Sequence, residues 1–513
     1  MYNIRRISIA VLAVLIVVFI TTTLPRVLNP VPPDKETRDA DQQWINTSPH
    51  WLDRQTCRWL SLCGLFHLKK DPPEKPKDDG RRHELRHVIG EASEIAWRGG
   101  NDGDKKQLRN IPEYVLNYAP LVHLYSQEFF WPSDIAEHIK HVVPDLDEDA
   151  WPSNGSQTLT LSNLNELSSE LGFQHLNSKD NVESRPKWLH SKDSRPIAFS
   201  DEDDKDDGKD EVSEPDRWPT DDTTWFDVDR DHPLHRISDP RKLPGGIPQR
   251  LTRRSRILRS RDQQRLISQA AQDSQNEGNK PDESGYSRAP VTLVLVDKGS
   301  GIVDAFWFFF YAYNLGQTVL GTRYGNHVGD WEHCMIRFEA GIPRGVFFSE
   351  HEGGQAYAWD AVEKRGNKSE IQRPVIYSAV GSHAMYATPG NHAYVLPFGM
   401  LKDVTDRGPL WDPSKNLRGY WYDYTTTKDD EGLEPVEENA DAPTSWFHYN
   451  GTWGDKLFGL DDVRQWRLFG QYHYVTGPQG PKFKNLGRER VCQTWRCRII
   501  HSIAEGKKGS WHS

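Results

Sequence analysis

The run Ile302–Tyr313, IVDAFWFFFYAY, limits the possible folds more than any other stretch of the chain. Successive side chains of a strand point to opposite faces, and here both faces would be apolar. A membrane-spanning helix needs about 20 apolar residues, more than this run supplies. A strand apolar on both faces belongs in the middle of a sheet, covered from both sides. Around it, from Pro290 onward, lie further short runs of the same kind. These are VTLVLV, DWEHCMIRFE, RGVFFSEHE, QAYAWDAV and RPVIYSAV, separated by Gly and Pro turns. Short strands punctuated in this way predict a mainly β fold, an antiparallel β-sandwich or jelly-roll-like domain with a few helices. There is no sustained alternation with long helices, which argues against a doubly wound parallel sheet.

The densest chemistry lies at Gly325–His333, GNHVGDWEH. Strand alternation places Asp330 and Glu332 on one face, with Trp331 and His333 on the other. His327 sits on a Gly-flanked turn, free to swing toward the carboxylates. Two carboxylates and an imidazole suit a divalent cation (Ca²⁺, Mg²⁺ or Mn²⁺), and they equally suit acid–base work. A polar strand end with Trp331 in the core is the plainer explanation. More polar groups recur at strand ends: Glu350-His351-Glu352 before a Gly pair, Gly381-Ser382-His383, and His392. Glu350, His351, His383 and His392 are expected at one rim with His327. Ser382 beside His383 suggests a serine nucleophile, but sequence neighbours seldom form the needed hydrogen bond, and G-x-S-x-G is absent.

The N-terminus predicts where this domain works. Arg5 and Arg6 precede Ile7–Pro25, an uncharged and mostly apolar run of 19 residues, just long enough to cross a bilayer. It is expected to be a signal anchor, a transmembrane helix with a cytosolic N-terminus; a cleaved signal peptide is the alternative. The rest of the chain would then be lumenal or extracellular, with the membrane as a partner. Cys57 lies near Cys63 and Cys492 near Cys497, while Cys334 stands alone. Two short-range disulfides and a buried thiol are expected; zinc is less favoured because neither pair has C-x₂-C spacing. Sequons at Asn46, Asn154, Asn367 and Asn450 support a glycoprotein of the secretory route. The net charge of −10 makes no case for nucleic-acid binding.

Six regions follow from composition. Residues 1–25 are the anchor and 26–113 a stalk and linker with short helices. The β domain begins at 114–174 and resumes as its main part at 288–476, followed by an extension at 477–513. Between its halves, 201–216 carries ten acids against two lysines, and 250–265 carries seven arginines against one aspartate. Such charge blocks cannot bury enough apolar surface to fold, so 175–287 reads as a disordered insertion. Arg253-Arg254 within it is a candidate processing site. In the linker, His83, Glu84 and His87 match the H-E-x-x-H zinc-helix pattern, but with no third ligand nearby an amphipathic surface helix is the simpler reading. Glu128 and Asp134 are expected to be exposed, with Ser133 or Asp134 capping a helix.

Several ordered motifs carry a wider resemblance. YAPLVHLYSQEFFWPSDI, GNHVGDWEHCMIRF, SEHEGGQAYAWDAVEK and YSAVGSHAMYATPG resemble the vacuolar protein sorting-associated protein 62 family and plant proteins with the domain of unknown function 946. The resemblance covers about 114–172 and 288–476. It implies a non-enzymatic role in targeting proteins to the vacuole. A local resemblance joins His327, Asp330, Trp331 and Glu332 to the GHRHDWE heptapeptide of necrosis-inducing-protein-like cytolysins. It implies His327, Asp330 and Glu332 as ligands of a divalent cation and a glycan or lipid head group as ligand of the domain. Val328-Gly329 departs from that heptapeptide, and its upstream aspartate has no firm match here, Asp304 and Asn314 being candidate substitutes. A cation-dependent hydrolase or binding module is therefore the alternative function.

Overall fold

A computed structural model describes residues 11–12, 14–19, 35–69, 108–145, 159–166, 172–190, 279–351, 353–366, 371–395, 401–428, 430–493 and 498–506. The chain is mainly β with few helices. The strands used below are β1 (Leu121–His123), β2 (Val291–Gly299), β3 (Ile302–Asn314), β4 (His327–Glu339), β5 (Ile342–Glu350), β6 (Gly353–Ala358), β7 (Arg373–Ser378), β8 (Leu401–Thr405), β9 (Leu410–Trp411), β10 (Leu417–Tyr422), β11 (Leu433–Pro435) and β12 (Ile499–Ile500).

The main sheet has the order β11-β10-β2-β3-β4-β5-β6-β12. From β2 to β6 it is an antiparallel meander, with short turns except between β3 and β4, where residues 315–326 intervene; β3, the doubly apolar run, is an interior strand between β2 and β4. The meander agrees with the antiparallel expectation, but the pairings that flank it do not. Strand β10 joins β2 in parallel, and β12 joins β6 in parallel. Both β10 and β12 come from chain distant from their parallel partners, so their direction is set by how the chain returns and not by a hairpin. The second sheet is also mixed: β7 runs parallel to β1, and β9 runs antiparallel to it.

Period-two alternation explains the core. Phe306, Phe308 and Phe310 of β3, with Trp331 and Met335 of β4, enter one apolar cluster. Trp307, Phe309 and Tyr311, with Cys334, Ile336 and Phe338, enter another on the opposite face. The second cluster includes Val122, Ile376 and Trp411, so it is the layer between the two sheets. The first is closed by irregular segments that contribute Trp446, Tyr449 and Trp453. Each face of β3 is therefore covered, at a favourable free energy of about 25 cal/mol for each Å² of apolar surface removed from water.

The domain boundaries differ from the sequence expectation. Leu176, Val182 and Leu189 are core residues, so the folded domain continues through His190. Leu486, Val491, Cys492 and Ile500 likewise place the C-terminal stretch in the core. Residues 191–278, with Arg253-Arg254 and both charge blocks, lie outside the described residues. So do His83, Glu84, His87, Asn154 and Asn367. Most of the N-terminal apolar run lies outside them too, although 14–19 are helical. No helix of the described residues is long and apolar enough to cross a membrane. Helices α1 (Lys35–Thr47) and α2 (Trp51–Leu60) belong to the folded body: Trp44, Ile45, Cys57 and Cys63 form a small cluster with Leu460.

Candidate functional site

The carboxylates Asp330 and Glu332 do share a face of β4, the face turned toward the second sheet. Both are buried. Gly329, just before them, has φ +67 and lies against the carbonyl of Trp453, where a Cβ would come within 2.3 Å. Only glycine meets both demands. Sequence alternation was enough to pair these two carboxylates; their partners come from elsewhere.

Asp330 receives His383. The imidazole Nδ1 lies 2.9 Å from Asp330 Oδ2, and Nε2 lies 3.2 Å from the carbonyl of Phe130 and 3.8 Å from Glu128 Oε1. The ring stacks flat on Tyr311 at 3.6 Å between centroids. Asn314 donates to Asp330 Oδ2 at 3.3 Å and to the carbonyl of Ser382 at 3.2 Å. Glu128 is buried, contrary to the expectation that it is exposed. Its Oε1 accepts the amides of Phe129 and Phe130, and its Oε2 accepts that of Gly381. A carboxylate satisfied by three backbone donors is worth burying, and local sequence carries no sign of the third donor, 253 residues away. Burial alone would push the His383 imidazole down. The hydrogen bond and charge of Asp330, with Glu128, outweigh that and raise it to about 9, so it is an imidazolium.

A second knot adjoins the first. His351 Nε2 lies 2.7 Å from Asp403 Oδ2, which also accepts the Tyr386 hydroxyl at 2.8 Å. Asp403 Oδ1 accepts Ser382 Oγ at 2.7 Å and Gln317 Nε2 at 3.2 Å. Ser382 thus touches both knots. Burial works against the His351 imidazolium, but Asp403 raises it to about 9. His392 stacks on Tyr386 and bonds the Thr388 carbonyl. Burial holds it down at about 4, in the neutral form. Ser349 donates to Glu332 and accepts the His333 amide at 2.8 Å. Burial, and then the nearby Asp330, push the Glu332 carboxyl up. Burial likewise pushes Glu350 up, to about 8.

His351 and His383 both adopt left-handed backbone conformations, φ 45 and 56. Two non-glycine residues held there within one polar cluster are a strain signal of the kind found at functional sites. His327 is the outlier of the expected set. Its Nδ1 lies 2.6 Å from the carbonyl of Gly329, two residues on, and not on either carboxylate. Asp304 pairs with Arg337 at 2.7 Å, well along the sheet. Among the described residues, no group of three or more His, Cys, Asp and Glu is placed to hold a metal ion. Nor do Ser382 and His383 form a catalytic pair. Ser382 donates to Asp403, while its neighbour His383 turns to Asp330.

The sequence reading missed Asp403, Ser349 and Tyr386. Asp403 had a signal: in LKDVT it occupies the inward phase with Leu401 and Thr405. Asp134 is the N-cap of a short helix, accepting from the Ala136 amide, and pairs with Arg418. The Cys57–Cys63 disulfide is formed, Cys334 is a buried free thiol, and Cys492 is also disulfide-bonded. Asn46 and Asn450 are exposed.

Comparison with known proteins places this arrangement. The chain is 32% identical over 404 residues to vacuolar protein sorting-associated protein 62 of Saccharomyces cerevisiae, covering 76% of this chain and 69% of that one. The chain belongs to the vacuolar protein sorting-associated protein 62 family. Residues 305–457 match the family model of that description. A second family relative in Saccharomyces cerevisiae, provisionally named vacuolar protein sorting-associated protein TDA6, is 35% identical over 405 residues, 74% of this chain and 68% of that one. The matched span, 305–457, holds β4 and both polar knots except Glu128 and the Phe130 carbonyl. Among solved structures, necrosis and ethylene inducing protein 2 from the causal agent of cocoa's witches' broom disease is 19% identical, over 20% of this chain and 46% of that one, with a TM-score of 0.15. The non-toxic HaNLP3 protein is similar at 18% identity over the same shares, also with a TM-score of 0.15. At that score the overlap carries no argument about this family member.

Proposed function

We propose that this protein acts without catalysis in the targeting of proteins to the vacuole, from the lumenal side of a secretory membrane to which residues 7–25 anchor it. The observation that carries the reading is the identity of 32–35% across about three quarters of the chain to two proteins named for vacuolar protein sorting. The compartment is supported by the Cys57–Cys63 disulfide, since disulfides persist in oxidising lumens. The test is to remove the gene and follow a vacuolar hydrolase. Mis-secretion of the hydrolase, restored by the wild-type protein, is expected. Unchanged sorting, together with a protein that alkaline carbonate extracts from membranes, would refute the reading.

A second reading has one observation in its favour. Asp330 and Glu332 share one face of β4, and the Glu332 carboxyl, pushed up by burial and then by Asp330, carries a penalty that a divalent cation would relieve. In that reading Ca²⁺, Mg²⁺ or Mn²⁺ binds at the rim and a glycan or lipid head group is the ligand. Cation-dependent binding to a glycan or lipid array, lost in Asp330→Asn, tests it.

A further inference from the structure

Exposed large apolar side chains are mostly scattered over this protein, as on any surface. Two stretches depart from that: the N-terminal apolar run, and residues 51–68 on the folded body. Six of them fall within residues 51–68, on α2 and the loop after it. On α2, Trp51 is 63% exposed, Leu52 60% and Trp59 54%. At 100° per residue these three share one stripe, with Gln55 between them and bonded to the Trp59 indole. The opposite side of α2 buries Asp53 and Cys57. Phe66, 61% exposed, stacks on His50 at 4.0 Å, beside the start of the helix. The helix thus turns its apolar face outward, the reverse of a helix packed on a core.

A second element lies at the same end. Leu62 and Leu65 pack against Tyr324, Trp466 and Leu468, and so does Val319. Val319 ends one strand of the hairpin Gln317–Val319/Thr322–Tyr324, and Leu320 is at its tip. Leu320 is 92% exposed with φ 52. A leucine fully in water, in a backbone conformation that favours glycine, has no benefit to the folded domain itself.

What meets this surface follows from how near residues 7–25 lie to it along the chain. This step rests on the reading of residues 7–25 as a membrane anchor. Pro25 and Lys35 are ten residues apart, at most about 35 Å of fully extended chain. Lys35 starts α1, which is fastened to the body by Glu36–Lys456, Asp41–Arg467 and buried Trp44. The end of the domain that carries the apolar stripe is therefore the end held at the bilayer. Tryptophan and leucine on one face of a short helix, with a phenylalanine on the loop beside it, suit the boundary between head groups and acyl chains.

We propose that Trp51, Leu52, Trp59, Phe66 and Leu320 form a docking face that inserts into the surface of a lipid bilayer. Docking sets the orientation of the domain on its membrane as well as its distance.

The full-length chain is incorporated into phosphatidylcholine vesicles containing a photoactivatable phospholipid, and adducts are mapped by proteolysis and mass spectrometry. Adducts are expected in residues 1–25 and, separately, in 51–66 and at Leu320. The exposed pair Trp51→Gln/Trp59→Gln should lose the 51–66 adducts, keep those in 1–25, and melt like wild type. Adducts confined to 1–25 would overturn the docking face and leave the anchor standing. Adducts in 51–66 with none in 1–25 would uphold the face and refute the anchor. Labelling of 51–66 that is unchanged in the double variant would overturn the assignment of these side chains.

Discussion

Replacing Asp330 by asparagine should destabilise the protein at pH 6 and not at pH 9.5. His383 is held as an imidazolium, raised from 6.5 to about 9 against the opposing effect of burial, by Asp330 at 2.9 Å and Glu128 at 3.8 Å. A folded value above the unfolded one adds stability that is complete below about pH 6.5 and is lost as pH rises through about 9. The gap of roughly two and a half pH units is worth roughly 3 kcal/mol at about 1.36 kcal/mol per unit. Glu128 keeps part of that, so Asp330→Asn should cost about 2 kcal/mol at pH 6. At pH 9.5 His383 is neutral and the cost disappears. Removing the Asp330 charge also relieves Glu332, which Asp330 pushes up alongside burial. The variant should then match or slightly exceed wild type. Urea unfolding at the two pH values measures this, with the midpoint shifting at constant m-value. An equal cost at both pH values would refute the imidazolium clamp, because a lost neutral hydrogen bond has no such pH dependence.

Other consequences follow from the same geometry. Trp331→Ala should cost about 3–5 kcal/mol at any pH, because it empties a site lined by Phe308, Phe310, Trp446 and Trp453; calorimetry reads it. If the rim binds a cation, thermal melts will rise with Ca²⁺, Mg²⁺ or Mn²⁺ and return with chelator, and neither Asp330→Asn nor Glu332→Gln will show the rise. Cys57→Ser opens a short loop and should cost roughly 2 kcal/mol, seen as an earlier urea midpoint for the part that includes α2. Glycosidase should shift the mobility of the mature protein through Asn46 or Asn450, and a protein from cells that shows no shift would argue against a lumenal domain.

Strand identity was legible in the residues themselves. The double apolar face of Ile302–Tyr313 predicted a central strand, and β3 is one, because a strand with two apolar faces has no stable place at an edge. The shared face of Asp330 and Glu332 followed from alternation alone. The cysteine spacing pointed to Cys57–Cys63, a bridge across six residues. All of these are local properties, set by a period of two or by a short loop.

The partners of the carboxylates could not be read that way. Asp330 and His383 are 53 residues apart, and Glu128 and Gly381 are 253 apart. His327, the nearest imidazole in sequence, turned to the carbonyl of Gly329 instead. A hydrogen bond between distant segments depends on which turn the packed sheets bring over which strand end. Nothing in local periodicity records that, so the acids were a matter of sequence and their neutralisation a matter of tertiary structure. The same division explains the parallel strand pairings and the extent of the domain. Leu176 and Leu189 sit beside a charged segment and look dispensable by composition, yet the core that buries them forms only when the two halves of the chain meet.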